Sequence, residues 1–188
     1  MTQIDMMYCF GVLLSIINDI LDMSRIESGR MVIKSEEFSL SKTLEQVNTI
    51  INGQCRDKGL SYECHASGKL DEYYIGDDMK IRQVLINILG NAVKFTPNGG
   101  KIHVSADRVG EKVRITVSDS GVGIDEARIA DLLKNNHYYS TPGTNGESGT
   151  GLGLLLCQAQ LFRNQSTLEF SNVPTGGSEF SFELPTSE

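Results

Sequence analysis

Two asparagines and a lysine recur along one predicted helix in a pattern suited to binding phosphate and a metal ion. Asn87, Asn91 and Lys94 are spaced at i, i+4 and i+7, so at 100° per residue they form one narrow stripe. Asparagine is a poor helix former because its amide competes for backbone hydrogen bonds. The pair is therefore either a set of solvated or capping amides or a functional feature. In the functional interpretation the amide oxygens are ligands of Mg²⁺ together with water and phosphate oxygens, and Lys94 adds a compensating charge.

An aspartate followed by two glycines comes directly after a predicted strand. The strand ending in Val117-Ser118 runs into Asp119-Ser120-Gly121-Val122-Gly123-Ile124. A carboxylate at a strand end can accept a hydrogen bond from the exocyclic amine of a base, and glycines let the backbone approach a flat ligand closely. A plain turn is the competing interpretation, because Asp, Ser and Gly are all common in turns.

A third glycine-rich run, Gly149-Thr150-Gly151-Leu152-Gly153-Leu154, leads straight into a predicted helix. Exposed backbone amides at such a helix start bind anions, and the helix dipole favours negative charge there. The run lacks the Gly-Lys-Ser/Thr of a Walker A loop. It also differs from the dinucleotide fingerprint, which follows a strand, whereas a long polar segment precedes it here.

Taken in this order, the three motifs resemble the N, G1 and G2 boxes of the GHKL ATPase superfamily. The resemblance is carried by residues 87–95, 119–124 and 149–154, and it covers the chain from about residue 39 to the C-terminus. It implies a Bergerat-type ATP-binding fold, which is an α/β two-layer sandwich with a mixed sheet and helices on one face. ATP with Mg²⁺ is expected between the helix of Asn91 and the lid segment.

The same resemblance implies a role for each residue of the three motifs. Asn91 is expected to hold Mg²⁺ through the ATP phosphates, and Lys94 to face the phosphates. Asp119 is expected to recognise the adenine amino group, with Phe95 and Ile124 bordering the ring. Gly121 and Gly123 are expected to support the adenine contact, and Gly149, Gly151 and Gly153 to fold over the phosphates. Thr150 and Leu152 are also expected to bind the nucleotide.

Asn87 helps to choose the branch of the superfamily. Chaperone, topoisomerase and mismatch-repair ATPases usually carry a glutamate there as the general base for water, whereas histidine kinases usually carry asparagine. An amide cannot act as a base at neutral pH, which favours phosphoryl transfer over hydrolysis. The predicted catalytic set is Asn87, Asn91 and Lys94, in the ATP-binding kinase domain of a bacterial two-component sensor histidine kinase.

The N-terminal segment of residues 14–29 resembles the end of the second helix of the dimerisation and phosphotransfer hairpin of these kinases. Its apolar residues recur at helical spacings, and it stops at Ser28-Gly29. The stripe suits either a bundle seam or a helix packed on its own domain. We expect a partial hairpin helix over residues 1–30, a catalytic domain over residues 31–188, and dimerisation through the helix.

Two features depart from the family pattern. The phenylalanine-centred box that usually precedes the lid is replaced by residues 131–139, which leaves the anchoring of the lid unexplained. None of His65, His103 and His137 is followed by Glu or Asp, as the phosphoacceptor histidine is. We expect ordinary surface histidines in a truncated chain that cannot autophosphorylate alone. Its partners would be the histidine-bearing hairpin of the same or a partner kinase chain and a response regulator receiver domain.

Two alternatives to the kinase remain open. One is a GHKL ATPase that hydrolyses ATP to drive a conformational change. The other is a non-catalytic, nucleotide-gated interaction module, which the altered approach to the lid and the missing histidine favour. Transfer to a supplied histidine, release of phosphate, or binding without either reaction would separate the three.

The elements that must position these residues are predicted from periodicity and turn signals. Helices are predicted over residues 13–27, 39–57, 78–95 and 152–162, with a short one near 125–133. Strands are predicted over residues 31–38, 60–66, 73–75, 102–106, 113–117, 167–171 and 178–184. Residues 135–149 are polar, rich in glycine and too long for an ordinary connection, which is typical of a mobile lid.

Composition excludes several classes of protein. The 188 residues are 39% hydrophobic and 22% charged, which suits one well-cored globular domain with an appendage. The net charge of −7 without a Lys/Arg-rich stretch argues against nucleic acid as a partner. The four cysteines form no C-x-x-C pair or Cys/His cluster, so neither zinc nor disulfides are expected. No membrane span or signal peptide is recognisable in the sequence, so we expect a cytoplasmic domain. The family resemblance is also compatible with a parent protein that is anchored in the inner membrane.

Overall fold

The computed structural model describes residues 3–67, 70–125, 141–147 and 149–187, and the side chains of residues 3–12 and 15 lie outside this description. Each element predicted for these residues has a counterpart, while the short helix expected near 125–133 lies outside them apart from Asp125. In chain order the described elements are α1 (Gln3–Glu27), β1 (Glu36–Phe38), α2 (Leu40–Asp57), β2 (Ser61–Ser67), β3 (Tyr74–Gly76), α3 (Asp78–Phe95), β4 (Lys101–Val109), β5 (Lys112–Asp119), α4 (Gly153–Arg163), β6 (Glu169–Asn172) and β7 (Ser178–Pro185).

Five strands form one mixed sheet in the order β2-β4-β5-β7-β6. β2 runs parallel to β4, and the other three pairs are antiparallel. A parallel pair needs a long crossover, and here the crossover contains α3. β4 and β5 form an antiparallel β-hairpin, whose turn uses Gly110 at φ +63°. β1 and β3 form a separate two-stranded antiparallel sheet.

One face of the five-stranded sheet is buried under the helices, and the other is more open to solvent. Along β4 and β5 alternate side chains such as Ile102 and Ile115 are at most 1% exposed, and the residues between them are mostly half-buried. α3 supplies Ile81, Leu85 and Ile88, all fully buried, from the arc of the helix away from its polar stripe. Each such side chain contributes about 1.5–3 kcal/mol by burial. The arrangement confirms the predicted two-layer α/β fold.

The bounds of α3 follow from local chemistry at both ends. Asp77 Oδ1 accepts a hydrogen bond from the Lys80 backbone N–H at 3.2 Å, which satisfies one of the unpaired donors of the first turn. At the other end Thr96 is extended, with φ −96° and ψ 122°. Pro97 follows it, and a residue before proline avoids the helical region. These contacts set the bounds of the helix that carries the polar stripe.

The strand predicted over residues 31–38 is wrong for its first five residues, because only Glu36–Phe38 pairs with β3. Upstream, the backbone bonds to side chains instead. The Met31 carbonyl accepts a hydrogen bond from Arg163 Nη1 at 2.7 Å, and the Lys34 N–H donates to Asp77 Oδ2 at 3.1 Å. Alternation of residue types cannot reveal partners of this kind.

α1 leaves much of its apolar stripe in solvent. Asp22, 7% exposed, accepts a hydrogen bond from Lys80 Nζ of α3 at 2.8 Å, which holds α1 against the helical layer. Its large apolar side chains that are 43–55% exposed are Leu13, Leu14, Ile17, Ile20 and Leu21. Within the described part of the chain no helix is long and apolar enough to cross a membrane.

Candidate active site

A cleft of about 680 Å³ lies between α3, the end of β5 and the start of α4. Its walls bring together the three motifs, which lie far apart in the sequence. The predicted site residues that line it are Asn87, Asn91, Lys94, Phe95, Asp119, Gly123, Ile124, Gly149, Thr150, Gly151 and Gly153. Gly121 and Leu152, the other two predicted positions, are next to the cleft in the chain but do not line it.

The polar stripe of α3 forms one wall of the cleft. Asn87, Asn91 and Lys94 all line it. The amide nitrogen of Asn87 is buried and has no oxygen or nitrogen acceptor within the described residues. The Cys157 thiol beside it is a weak partner. An unpaired buried amide costs about 1–3 kcal/mol, so the Asn87 amide is not the solvated amide that the sequence also allowed.

The end of the same wall carries positive charge next to an aromatic ring. Lys94 Nζ lies 4.9 Å from the centroid of the Phe95 ring, which is within cation–π range. Two side-chain amides one helical turn apart provide oxygen atoms of the kind that Mg²⁺ accepts alongside phosphate oxygens. The donor set of this wall therefore fits a nucleotide triphosphate with its metal ion.

Asp119 ends β5 with its carboxylate fixed by three donors. The residue is 7% exposed. Oδ1 accepts from the backbone N–H groups of Gly121 at 2.8 Å and Ser178 at 3.3 Å, and Oδ2 accepts from the Ser178 hydroxyl at 2.6 Å. A carboxylate offers about four acceptor positions, so Asp119 keeps acceptor capacity for a ligand. Ser178 also lines the cleft, and the sequence analysis missed it.

Glycines around Asp119 let the backbone pack more closely than any side chain would allow. A Cβ on Gly121 would lie 2.5 Å from the Phe95 carbonyl oxygen. A Cβ on Gly177, which has φ +95°, would lie 1.8 Å from the Asp119 carbonyl oxygen. The Val122 N–H donates to the Phe95 carbonyl at 3.2 Å. The end of β5 is thus fixed against the end of α3, as a plain surface turn would not be.

Ile124 is held at the edge of the cleft by a reciprocal pair of hydrogen bonds with Asn172. The Ile124 N–H donates to Asn172 Oδ1 at 2.7 Å, and Asn172 Nδ2 donates to the Ile124 carbonyl at 2.7 Å. Gly123 adopts φ +73° to bring the chain into this position. Asn172 was not predicted, because nothing local in the sequence links the end of β6 to this motif.

The start of α4 presents backbone amides to the cleft. Gly151 adopts φ +74°, and the Leu152 N–H donates to Thr150 Oγ1 at 3.2 Å. Leu152 occupies the N-cap and has no side chain that could cap the first turn. A Cβ on Gly153 would lie 3.8 Å from Asn87 Cγ, so α4 begins beside the polar stripe of α3. Uncapped N–H groups at a helix start form a site for anions such as phosphate.

The described part of the predicted lid is residues 141–147 and 149. Thr141 and Pro142 line the cleft. Residues 143–147 form a turn on the C-terminal end of α3, where the Thr144 N–H donates to the Lys94 carbonyl at 3.0 Å. Residues 131–139, which replace the family's phenylalanine-centred box, lie outside the described residues, so the mobility of the lid stays a prediction.

Asp19 of α1 is a cleft residue that the sequence analysis missed. It is 9% exposed and lines the cleft, although α1 was assigned to a separate hairpin. Burial raises the pKa of Asp19, and the neighbouring Asp22 carboxylate raises it further. Asp19 and Asp22 are three residues apart and so share one face of the helix. That acidic face was the signal that could have placed α1 beside the cleft.

The two histidines in the described part of the chain, His65 and His103, do not line the cleft. His65 of β2 is exposed and His103 of β4 is half-buried, with ring centroids 5.4 Å apart on the more open side of the sheet. Neither lines the cleft, which agrees with ordinary surface histidines. His137 lies outside the described residues.

Comparisons with known proteins point to the same family as the motifs. A family model described as "Histidine kinase-, DNA gyrase B-, and HSP90-like ATPase" matches residues 76–188. The signal transduction histidine-protein kinase BarA of Escherichia coli K12 is 32% identical over 178 residues, covering 92% of this chain and 19% of that protein. The non-motile and phage-resistance protein of Caulobacter vibrioides is 35% identical over 177 residues, covering 92% of this chain and 21% of that protein.

A solved structure of full-length ShkA in complex with AMPPNP superposes with a TM-score of 0.76 at 27% identity. The match covers 93% of this chain and 36% of that one. The chain spans about a fifth of the length of the two curated relatives named above.

Proposed function

Because the chain belongs to the family of histidine kinase-, DNA gyrase B- and HSP90-like ATPases, with the catalytic domain of the sensor histidine kinase type, we propose that it transfers the γ-phosphoryl group of Mg-ATP to a histidine. The observation that carries the proposal is the cleft. One end has a fixed carboxylate, the other has the open start of a helix, and an amide-lined wall joins them. A nucleotide needs these three kinds of contact in this order.

The adenine belongs at the β5 end in this proposal. The carboxylate of Asp119 has acceptor capacity left for the exocyclic amine of the base. Phe95 and Ile124 supply apolar surface beside it. The hydrogen bonds from Gly121 and Ser178 fix the carboxylate before the ligand arrives, so little order has to be gained on binding.

The phosphates belong at the α4 end. The backbone N–H groups that follow Gly151 bind phosphate oxygens there, and the dipole of α4 favours their charge. Asn91 would hold Mg²⁺, with Asn87 supplying a further amide and Lys94 a positive charge. When bound, Mg²⁺ neutralises negative charge that develops on the phosphate oxygens.

Asn87 separates transfer from hydrolysis. In transfer, the bond between the γ-phosphorus and the bridging oxygen breaks, ADP leaves, and a phosphorus–nitrogen bond forms to an imidazole. An amide at residue 87 cannot remove a proton from water at neutral pH, which supports transfer. Hydrolysis is the second candidate, and the observation in its favour is the carboxylate of Asp19 in the cleft.

The remaining expectations concern partners. We propose that residues 1–30 belong to a phosphotransfer hairpin, that the acceptor histidine lies on the hairpin of the same or a partner kinase chain, and that a response regulator receives the phosphoryl group. The exposed apolar row of α1 supports a homodimer formed through that helix. We expect this chain to act in the cytoplasm as one part of a longer signalling protein.

Two measurements test the function. Calorimetry of the full chain with Mg-ATP should show binding that Asn91→Ala abolishes, because the metal-bound phosphates lose their amide ligand. Asn52→Ala, an exposed asparagine of α2, is the matched control and should bind normally. ATP affinity left unchanged by Asn91→Ala would count decisively against this cleft.

The second measurement distinguishes the reactions. The chain is incubated with γ-labelled Mg-ATP and a hairpin fragment that carries a histidine. Acid-labile, base-stable label on the fragment supports the kinase. Phosphate release at the same rate with and without the fragment supports hydrolysis, and binding without either product supports a non-catalytic module.

A further inference from the structure

Lys58, which directly follows α2, is a buried lysine outside the cleft. Its side chain is 7% exposed. Nζ donates to the carbonyl oxygens of Val93 at 2.8 Å and Lys94 at 3.0 Å, to Thr144 Oγ1 at 2.8 Å and to Glu147 Oε1 at 2.6 Å. An ammonium group has three N–H donors, so four acceptors saturate it. A buried charge is tolerated only when it is paired and hydrogen-bonded, and this one is both.

Two of the four acceptors belong to the end of α3. Val93 and Lys94 are among the last four residues of this helix, whose carbonyls have no intrahelical partner. These carbonyls also carry the negative end of the helix dipole, which a cation stabilises. Lys58 therefore caps the C-terminal end of α3, the helix that carries the polar stripe of the cleft.

The other two acceptors belong to the turn of residues 143–147. Inside the turn, the Asn145 N–H donates to Glu147 Oε2 at 2.9 Å. Both the N–H and the hydroxyl of Thr144 donate to the Lys94 carbonyl, at 3.0 and 3.2 Å. In the chain, the turn lies between residues 141–142 and residues 149–151, and both stretches line the cleft.

We propose that Lys58 and Glu147 form a latch that positions the glycine-rich approach to α4 over the nucleotide phosphates. The inference rests on the proposed function, because that function places the phosphates at this end of the cleft. Lys58 does not line the cleft, so it is a positioning residue and not a ligand of ATP. The latch anchors the described turn of the predicted lid, residues 143–147, on the end of α3.

Glu147 takes part in the latch as a carboxylate. Burial acts to raise the pKa of Glu147, but hydrogen bonds from Lys58 and from the backbone N–H groups of Glu147 and Asn145 outweigh it, so the pKa is below its usual value. Glu147→Gln therefore removes a charge while it keeps the size and shape of the side chain. It is a milder change than any substitution of the buried lysine.

The test measures binding of ATP and of adenosine to the full chain by calorimetry, both with Mg²⁺. Glu147→Gln is expected to weaken ATP binding about tenfold, or ~1.4 kcal/mol. Adenosine should stay within about twofold, because it contacts only the end held by Asp119 and Ser178. Lys58→Met should lose at least as much ATP affinity, and Lys58→Arg should recover part of it. The double variant with Glu147→Gln should bind ATP no more weakly than Lys58→Met alone, because both break one interaction.

The matched control is Glu111→Gln, an exposed glutamate in the turn between β4 and β5, which should leave both affinities unchanged. Unchanged ATP affinity in Glu147→Gln, or an equal loss of ATP and adenosine, overturns the latch and leaves the proposed function standing. If Lys58→Met does not fold, Glu147→Gln decides alone. If the unmodified chain binds neither ligand, the proposed function fails and the latch fails with it.

Discussion

The two ends of the cleft are held in place by different kinds of contact. At the β5 end, Asp119 is buried, its strand is paired on both sides, and its carboxylate bonds to Ser178 on the next strand. At the α4 end, the lining residues 149–151 lie in a connection, and Gly149 is exposed. The turn of residues 143–147, which Lys58 holds, precedes them in the chain.

This difference shows which end of the cleft is rigid and which end can open locally. Contacts that are part of a sheet open only when much of the domain opens, whereas a turn held by a few hydrogen bonds and one ion pair can open locally. The end assigned to adenine is therefore preformed. The end assigned to the phosphates is set by an attachment that can be loosened without unfolding the sheet.

The largest expected effect comes from breaking the preformed end. Gly177→Ala would place a Cβ 1.8 Å from the Asp119 carbonyl at a positive φ, which combines strain with overpacking and should lower the free energy of unfolding by about 3 kcal/mol or more. Gly176→Ala shares the positive φ but has open space around it, so about 1 kcal/mol is expected. Urea denaturation of both variants measures the difference. Equal losses would mean that the close packing at Asp119 contributes nothing.

The next effect compares the two ends through their ligands. Asp119→Asn should weaken ATP and adenosine alike by about 100-fold, or ~2.7 kcal/mol, because it removes the charged acceptor for the base and leaves the phosphate end intact. The latch variants, in contrast, should affect ATP alone. Calorimetry with both ligands gives the result, and Asp107→Asn on β4 is the control. Adenosine binding that survives in Asp119→Asn would show that the base does not lie at this end.

The smallest effect concerns the charge of Asp19. Because the folded chain raises the pKa of Asp19 above 3.8, the ionised carboxylate destabilises the fold at pH 7, and this penalty disappears as the pH falls below the unfolded value. Asp19→Asn should therefore raise the free energy of unfolding at pH 7. The gain should shrink as the pH falls through the raised pKa of Asp19 and vanish below the unfolded value. Asp19→Asn should also tighten ATP binding a few-fold, because it removes a negative charge from the cleft.

Urea denaturation of the variant and the unmodified chain at several pH values from about 3 to about 7 measures this effect. Glu36→Gln, at an exposed position of β1, is the control and should follow the unmodified chain. A variant that is less stable at pH 7 would show that the Asp19 carboxylate makes a favourable contact.

The sequence was informative wherever the cause of the structure is local. The bounds of α3 follow from Asp77 and Pro97, and the spacing of Asn87, Asn91 and Lys94 puts them on one wall of the cleft. Motifs that are contiguous in the chain were found for the same reason. Eleven of the thirteen predicted site residues line the cleft.

The residues that were missed depend on distant partners. Ser178 reaches Asp119 only because β7 pairs with β5, and Asn172 reaches Ile124 only because β6 lies beside β7. Lys58 is an ordinary lysine at the end of a helix until residues 89 positions later in the chain fold onto it. Periodicity carries no information about such pairs.

The homodimer proposed through the exposed apolar row on α1 would make the stability of this chain depend on its concentration. Two such rows can pair only when both chains are folded, so in the dimer proposed above each tenfold rise in chain concentration favours the folded state by about 1.4 kcal/mol per dimer. Dilution of the protein would then lower the free energy of unfolding of the dimer. A melting temperature measured for such a dimer therefore has to be given together with the protein concentration.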